Sequence, residues 1–186
     1  MTRILRVVSP THAKIVSPNP PKGDWESCEV PEVSWNAGQR VQSFGLQDFS
    51  TSHMMMCELD GFPINPHHWN PDWLQYDYIG APWGYAGCRT QAPREFRVGN
   101  GGCSLQSKKL RSKLWEFRYI YKDGTPSDLW ICQDLRRCLA LKKFSFAPVS
   151  EAIKFSFESE IPEFPDWTTD QSFAFHGRNF HPHLCP

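Results

Sequence analysis

The sequence lacks several patterns that would assign it to a familiar class. Its seven cysteines include no C-x-x-C pair, which argues against a zinc ribbon, and their odd number argues against a complete disulfide framework. Neither G-x-G-x-x-G nor the P-loop arrangement occurs, so the two common nucleotide-binding motifs are missing. No stretch approaches the roughly 18 apolar residues of a membrane helix.

The chain also lacks an excess of charge of either sign. Twenty basic and twenty acidic residues give a formal net charge of zero, which offers no argument for a nucleic-acid or anionic-membrane partner. A small or neutral ligand fits this balance better. With 186 residues, of which 40% are hydrophobic, the chain is long enough to fold around a core of its own. We expect a protein of a reducing compartment, located in the cytoplasm, with no transmembrane segment.

The pattern of turn formers divides the chain into two parts. Residues 1–41 are a Pro-rich segment with one possible strand at residues 4–8, and residues 42–186 form the main domain. In the main domain the spacing predicts helices over 42–52, 104–120, 127–143 and 150–154, one helical turn at 70–75 capped by Asn70, a fully buried central strand at 53–59, and short strands at 144–146, 155–159 and 172–175. This alternation indicates an α/β sandwich around a mixed sheet.

Two carboxylates lie at the end of the predicted strand at residues 53–59. Glu58 and Asp60 are two residues apart in CELDG, so on an extended backbone both side chains would leave one face of the sheet. Such a pair suits Mg²⁺ or Mn²⁺ bridged to a diphosphate. Alternatively, Asp60-Gly61 is simply the turn that ends the strand.

A glycine-rich run occupies residues 99–102. Gly99, Gly101 and Gly102 would let the backbone approach a phosphate or a sugar closely, and the predicted helix after them would present its N-terminus to an anion. A loop that merely requires positive φ angles explains the same glycines, and the sequence leaves these readings open.

Three further features are candidates for chemistry. His176 follows an apolar strand and precedes Gly177, which places it at a strand end like Asp60. Asp128 starts a predicted helix, where it is either an N-cap or a catalytic group. The aromatic residues of HHWNPDWLQYDYIGAPW, which include Tyr78 and Trp83, either stack on a sugar or fill a core.

Several long motifs resemble one known family. DGFPINPHHWNPDWLQYDYIGAPW, RVGNGGCSLQSKKL, SDLWICQDLRRCL, KFSFAPVSEAIKFSFES and FAFHG follow the order of DGF-x-x-N-P-x-x-W, YDYIGAPW, VGNGGFSLRS, ED-x-x-IC, KFAP-x-x-x-A-x-x-FS-x-E and FGFHG. Over residues 42–177 the chain therefore resembles domain-of-unknown-function family 5672, which is regarded as glycosyltransferase-like. The resemblance implies an A-type glycosyltransferase fold, a Rossmann-like mixed sheet. Its N-terminal half is short here, because only about 40 residues precede the match.

The resemblance also implies roles for individual residues. Asp60 matches the acidic residue that ends the nucleotide-binding strand, and Glu58 stands where relatives often have Gln. Asp128 matches the second member of a Glu-Asp pair that supplies a catalytic base, but Ser127 replaces the Glu. The remaining implied roles are metal binding at Asp60, Glu58 and His176, and substrate binding at Gly99, Asn100, Gly101, Gly102, Trp83 and Tyr78.

These roles combine into one expected function. The resemblance implies a glycosyltransferase that moves a sugar from a nucleotide-sugar donor to a glycan or glycolipid acceptor, assisted by Mn²⁺ or Mg²⁺. Two alternatives stay open. One is a non-catalytic carbohydrate-binding or interaction domain on a degenerate scaffold. The other is a metal-dependent hydrolase built on Asp60, Asp128 and His176.

Overall fold

The N-terminal part of the protein contains regular structure that the sequence did not predict. The computed structural model describes residues 34–84 and 96–177, together with the backbone of two strands, β1 (Lys14–Ser17) and β2 (Glu26–Glu29), which pair in parallel. Residues 14–17, 26–29 and 35–40, for which the Pro-rich composition predicted no regular element, therefore form two strands and a helix. The strand predicted at residues 4–8 lies outside the described residues.

The first helix starts earlier than the sequence pattern indicated. Helix α1 (Trp35–Arg40) continues directly as a π-helix (Val41–Gly45), so the predicted start at residue 42 is too late. The widened turn leaves backbone carbonyls for a side chain to bind. The buried guanidinium of Arg111 takes that role, because its Nη1 donates to the carbonyl of Gln42 at 2.7 Å. A partner almost seventy residues away thus stabilises this local irregularity.

The first sheet has three antiparallel strands in the order β3-β6-β5. They are β3 (His53–Cys57), β5 (Tyr78–Gly80) and β6 (Cys103–Ser107). The predicted strand at 53–59 exists, but it is a half-buried edge strand of this sheet. The fully buried centre is β6, which lies where a helix was predicted to begin. Leu105 fits a helical stripe by spacing, yet pairing with strands on both sides holds it in extended backbone.

The second sheet also has three strands, in the order β4-β8-β7. They are β4 (Gly61–Pro63), β7 (Ser156–Phe157) and β8 (Ala174–His176). Strand β8 is antiparallel to β4 and parallel to β7. The α/β class is confirmed, but in the described residues the strands form separate small sheets, not the single mixed sheet that was expected.

Helices cover both faces of the first sheet. They are α2 (Lys108–Glu116), α3 (Ser127–Leu129), which runs into a π-helix (Trp130–Asp134), α4 (Arg136–Leu141) and α5 (Val149–Phe155). Short 3₁₀ turns are Pro66–His68, Pro71–Gln75, Phe117–Ile120 and Thr169–Gln171. The predicted cap at Asn70 is confirmed, since its side chain accepts from the backbone N–H of Asp72 at 3.0 Å.

Alternating residues of β5 enter two different hydrophobic clusters. Tyr78 packs with residues of α2 and α4 such as Leu114 and Leu139. Its neighbour Ile79 packs with Phe155 of α5 and with Phe173, which precedes β8. Since successive side chains leave opposite faces of a strand, the first sheet is the middle layer of the core. No helix within the described ranges is long and apolar enough to cross a membrane.

The hydroxyl of Tyr78 ties this core to the glycine-rich run. It donates to the carbonyl of Gly99 at 2.6 Å, and the side chain is fully buried. Tyr78→Phe is expected to destabilise the fold by about 1–3 kcal/mol, because the carbonyl loses its donor without regaining water. Urea unfolding measures the change. Tyr119→Phe, at a side chain 80% exposed, should leave the free energy of unfolding almost unchanged, and equal effects of the two variants would contradict this role.

Candidate functional site

A tight hairpin carries the two carboxylates that follow β3. Glu58 and Gly61 exchange backbone hydrogen bonds of 3.0 and 3.2 Å, which leaves Leu59 and Asp60 as the two residues of the turn. The predicted extended backbone from Glu58 to Asp60 is therefore wrong. The chain turns here, as the alternative expected, but the turn residues are Leu59 and Asp60, and Gly61 already belongs to β4. The turn nevertheless keeps both carboxylates on the same side as β8.

The register of the second sheet brings His176 to this hairpin. Gly61 of β4 lies opposite His176 of β8, and the N–H of Gly177 donates to the carbonyl of Asp60 at 2.7 Å. The imidazole Nε2 consequently lies 3.8 Å from Asp60 Oδ1 and 3.9 Å from Glu58 Oε2. The structure thus brings together the three residues that were predicted as metal ligands.

A third carboxylate, Glu158, holds the other side of the imidazole. Phe157 of β7 pairs with Phe175 of β8, and continuing that parallel register by one residue places Glu158 beside His176. The Nδ1 of His176 lies 3.3 Å from Glu158 Oε1. Glu158 was not among the predicted site residues. The sequence signal for it is an acidic residue directly after β7, the same position relative to its strand as Glu58 has to β3.

The amide of Asn100 fixes Glu158 in turn. Asn100 Nδ2 donates to Glu158 Oε1 at 2.6 Å, and Asn100 Oδ1 accepts from the N–H of Gly102 at 2.9 Å. Asn100, 4% exposed, was predicted to bind substrate. Its side-chain amide instead binds other protein groups, so Asn100 positions Glu158 and the loop.

We call Glu58, Asp60, Glu158 and His176 the carboxylate–histidine cluster. Three acidic groups around one imidazole make this a strongly electronegative site. Burial by itself lowers the pKa of His176, but its hydrogen bond to Glu158 and the charges of Glu158, Asp60 and Glu58 together outweigh burial and raise the pKa. The four side chains are each between 20% and 38% exposed, so the cluster is open to solvent ions.

Gln42 connects the cluster to the start of α3. Its Nε2 donates to Glu58 Oε1 at 3.1 Å, and its Oε1 accepts from the hydroxyl of Ser127 at 3.2 Å. The neighbouring Gln39 accepts from the backbone N–H of Ser127 at 2.6 Å. Ser127, the position where the family pattern has Glu, is thereby committed to structural hydrogen bonds. Neither glutamine stood out in the sequence, because Gln39 lies in the Pro-rich segment and Gln42 is the first residue of a predicted helix.

Asp128 faces the same region from the start of α3. It does not cap the helix, since the N-cap residue is Pro126 and Asp128 Oδ1 accepts from the N–H of the adjacent Leu129, at 2.8 Å. Burial raises its pKa to about 6, and although the Leu129 N–H opposes this rise, the charges of Glu158 and Glu58 add to it. A carboxyl group with this pKa exchanges protons near neutral pH.

Protein atoms explain the glycines of residues 99–102. A Cβ on Gly102 would lie 1.9 Å from His176 Cδ2, one on Gly99 would lie 2.3 Å from the Trp83 ring, and one on Gly101 would lie 3.3 Å from Asp128 Cβ. None of these glycines has a positive φ angle, so the explanation by a loop that requires positive φ angles is wrong. A strand follows the run, so the predicted helix N-terminus for an anion is also wrong.

The two aromatic residues predicted to bind substrate lie in the core beside this loop. Tyr78 is fully buried and Trp83 is 5% exposed, and both belong to one hydrophobic cluster. Tyr78 has no exposed surface with which to contact a sugar, and Trp83 offers almost none. These aromatics therefore fill the core, as the alternative expected. Both also contact Gly99 of the glycine-rich run.

The ligand-type atoms at the hairpin are close enough to share one ion. One atom each from Glu58, Asp60 and His176 lies within 4.8 Å of the others. Carboxylate oxygens and an imidazole nitrogen are donors that Mn²⁺ and related divalent cations accept. The contact of His176 Nδ1 with Glu158 is the arrangement that orients metal-binding histidines in proteins.

Fold and site together define an α/β protein with an electronegative carboxylate–histidine cluster between two small sheets. A family model described as protein of unknown function (DUF5672) matches residues 44–176, and the chain belongs to this family. Searches of curated proteins and of solved structures found no match.

The contact between Gly102 and His176 can be tested by adding one methyl group. Gly102→Ala is expected to destabilise the protein by about 1–3 kcal/mol, because the new Cβ would overlap the imidazole and force the loop or His176 to move. Chemical denaturation gives the value. Gly38→Ala in α1 is the matched control, since nothing lies within 4 Å of its Cβ and helix propensity favours Ala. A Gly102→Ala variant as stable as wild type would refute the close contact.

The raised pKa of Asp128 predicts a specific dependence of stability on pH. Between about pH 4 and 6 the unfolded carboxyl has lost its proton while the folded one keeps it, so this group lowers the free energy of unfolding as pH rises. Asp128→Asn removes that loss and preserves the acceptor for Leu129. The free energy of unfolding of the variant should therefore rise relative to that of wild type from pH 4 to pH 7, by at most about 3 kcal/mol. Asp166→Asn, at an exposed carboxylate, is the control, and parallel curves for Asp128→Asn and wild type would contradict the burial effect.

Proposed function

We propose that the protein binds a divalent cation, Mn²⁺ or Mg²⁺, through Glu58, Asp60 and His176. The observation that carries the proposal is the convergence of their ligand atoms within 4.8 Å. These residues come from the β3–β4 turn and from β8, more than a hundred positions apart, and backbone pairing of β4 with β8 holds them together. Such a preformed constellation keeps ligands in place before a cation arrives.

The charges and hydrogen bonds around the site fit a cation. Three carboxylates face one imidazole, so the cluster carries excess negative charge even when His176 is protonated. Glu158 Oε2 is buried and has no hydrogen-bond partner among the described residues. A buried, unpaired carboxylate oxygen is costly. A cation held by the adjacent residues would lower that cost by attraction at short range.

We further propose that the cation serves glycosyl transfer from a nucleotide-sugar donor to a hydroxyl of a glycan or glycolipid acceptor. This step rests on the motif resemblance, which implies an A-type glycosyltransferase with a Rossmann-like fold. A bound divalent cation would neutralise part of the negative charge that develops on the departing nucleoside diphosphate. Glu58 and Asp60 would hold it at the end of β3.

Asp128 is the residue we assign to the acceptor side of the reaction. A pKa of about 6 leaves its carboxylate mostly unprotonated at neutral pH yet close to the working pH of an efficient general base. It lies against Gly101 at the edge of the loop. In this position Asp128 would take the proton of the acceptor hydroxyl as the new glycosidic bond forms.

Cation binding is tested by calorimetric titration of Mn²⁺ into the folded protein. We expect saturable binding of one Mn²⁺ to wild type, and a loss of at least tenfold in affinity for Asp60→Asn, because a neutral amide replaces a charged ligand. Asp166→Asn, at an exposed carboxylate elsewhere on the chain, should bind as wild type does. Absence of binding to wild type, or equal binding by Asp60→Asn, would refute the site.

The transferase assignment has a separate test. Nucleoside diphosphates added with Mn²⁺ should raise the melting temperature by several degrees, and should have little effect without Mn²⁺ or on Asp60→Asn. No shift with any common nucleoside diphosphate would count against the proposal. Release of free sugar without an acceptor would point to a hydrolase. Metal-independent glycan binding that survives Asp60→Asn would point to a binding domain.

A further inference from the structure

Two cysteines face each other at the end of β3 and the start of β6. The antiparallel register pairs Cys57 with Cys103. Glu58 N–H donates to the carbonyl of Gly102 at 2.8 Å, and Lys108 N–H donates to the carbonyl of Ser52 at 2.8 Å. Because hydrogen-bonded and non-hydrogen-bonded pairs alternate along an antiparallel ladder, the hydrogen-bonded pairs are those with even residue numbers. Cys57 and Cys103 are therefore a non-hydrogen-bonded pair, the kind in which the Cα atoms come to about 4.5 Å and the side chains are closest.

Both cysteines are free thiols, and Cys57 packs against the hydrophobic cluster that contains Cys103. The thiol of Cys103 hydrogen-bonds that of Cys57, and this contact together with burial raises the pKa of Cys103 well above its ordinary value. Cys103 is fully buried, whereas Cys57 is only partly buried on the edge strand. A reagent in solution thus meets Cys57 first, with Cys103 directly behind it.

We propose that Cys57 and Cys103 form a reversible cross-strand disulfide by exchange with a low-molecular-weight disulfide. The Cα separation of a non-hydrogen-bonded pair lies within the range that disulfides span. In the first step the Cys57 sulfur attacks one sulfur of the small disulfide, whose S–S bond breaks to release one small thiol, which carries away the proton of Cys57. In the second step the Cys103 sulfur attacks the Cys57 sulfur, the mixed S–S bond breaks, and the second small thiol leaves with the proton of Cys103. Two protein thiols are oxidised and one disulfide is reduced.

The position of this pair connects it to the carboxylate–histidine cluster. The next pair along the ladder is Glu58 with Gly102, and Gly102 packs on the His176 ring. Directly opposed Cβ atoms in a sheet are about 4.5–5.5 Å apart, while a disulfide needs about 3.5–4.5 Å. Oxidation therefore requires the two Cβ atoms to approach by about 1 Å, which shifts the ends of both strands. Metal–ligand distances tolerate only about 0.2 Å, so the oxidised form should bind a cation more weakly. This consequence rests on the proposed function.

The disulfide is tested on the folded, full-length chain in buffers of oxidised and reduced glutathione. After free thiols are alkylated, a non-reducing digest analysed by mass spectrometry should contain a peptide that links Cys57 to Cys103, and dithiothreitol should abolish it. Cys57→Ser should lose the linked peptide. Cys138→Ser, at another partly buried cysteine, should retain it. Absence of the link in folded wild type, or links from Cys57 only to other cysteines, would overturn the proposal.

The effect on the site is measured by titrating Mn²⁺ into the reduced and oxidised forms. Oxidation should weaken binding at least severalfold in wild type and leave Cys57→Ser unchanged, with circular dichroism showing that each form is folded. Equal affinities of the two wild-type forms would overturn the coupling between disulfide and cluster. If reduced wild type binds no Mn²⁺, the proposed cation site fails, while the linked peptide still decides whether the disulfide forms.

Discussion

The close packing of the His176 ring on Gly102 is the contact on which the arrangement of the site depends. Gly102 leads into the central strand of the first sheet, and His176 ends the central strand of the second. The ring also approaches Gly61, where an added Cβ would lie 2.9 Å from Cδ2. Because two glycines leave the space that the imidazole fills, the two sheets can meet closely enough for their strand ends to share one cluster.

The acidic groups around His176 are unfavourable for the fold by itself. Glu58, Asp60 and Glu158 repel one another, and Glu158 and Glu58 both help to raise the pKa of Asp128. Asn100 and Gln42 offset part of this repulsion with hydrogen bonds to Glu158 and Glu58. Groups that are destabilising for the fold and yet carefully positioned are a common property of functional sites. This combination is the physical basis for placing function at this cluster.

Gly99, Gly101 and Gly102 show how one pattern can have a different cause from the expected one. They suggested a backbone that a sugar approaches, but the groups beside them are Trp83, Asp128 and His176. The glycines allow protein side chains, including two candidate functional residues, to crowd against the loop. The loop thereby positions these side chains, whether or not a ligand lies over it. Tyr78, predicted to bind substrate, instead holds the loop by its hydrogen bond to the carbonyl of Gly99.

Short-range chemistry was readable from the sequence alone. The Asn70 cap, a strand that begins at His53, a turn beside Asp60, a short helix around residues 150–154 and the strand end at His176 all follow from neighbouring residues. The motifs also identified the family correctly. Only the tertiary structure decided that Leu105 belongs to a strand, that Glu158 meets His176, and that burial raises the pKa of Asp128. Those outcomes depend on the registers of strands far apart in the chain, and local spacing carries no information about register between distant segments.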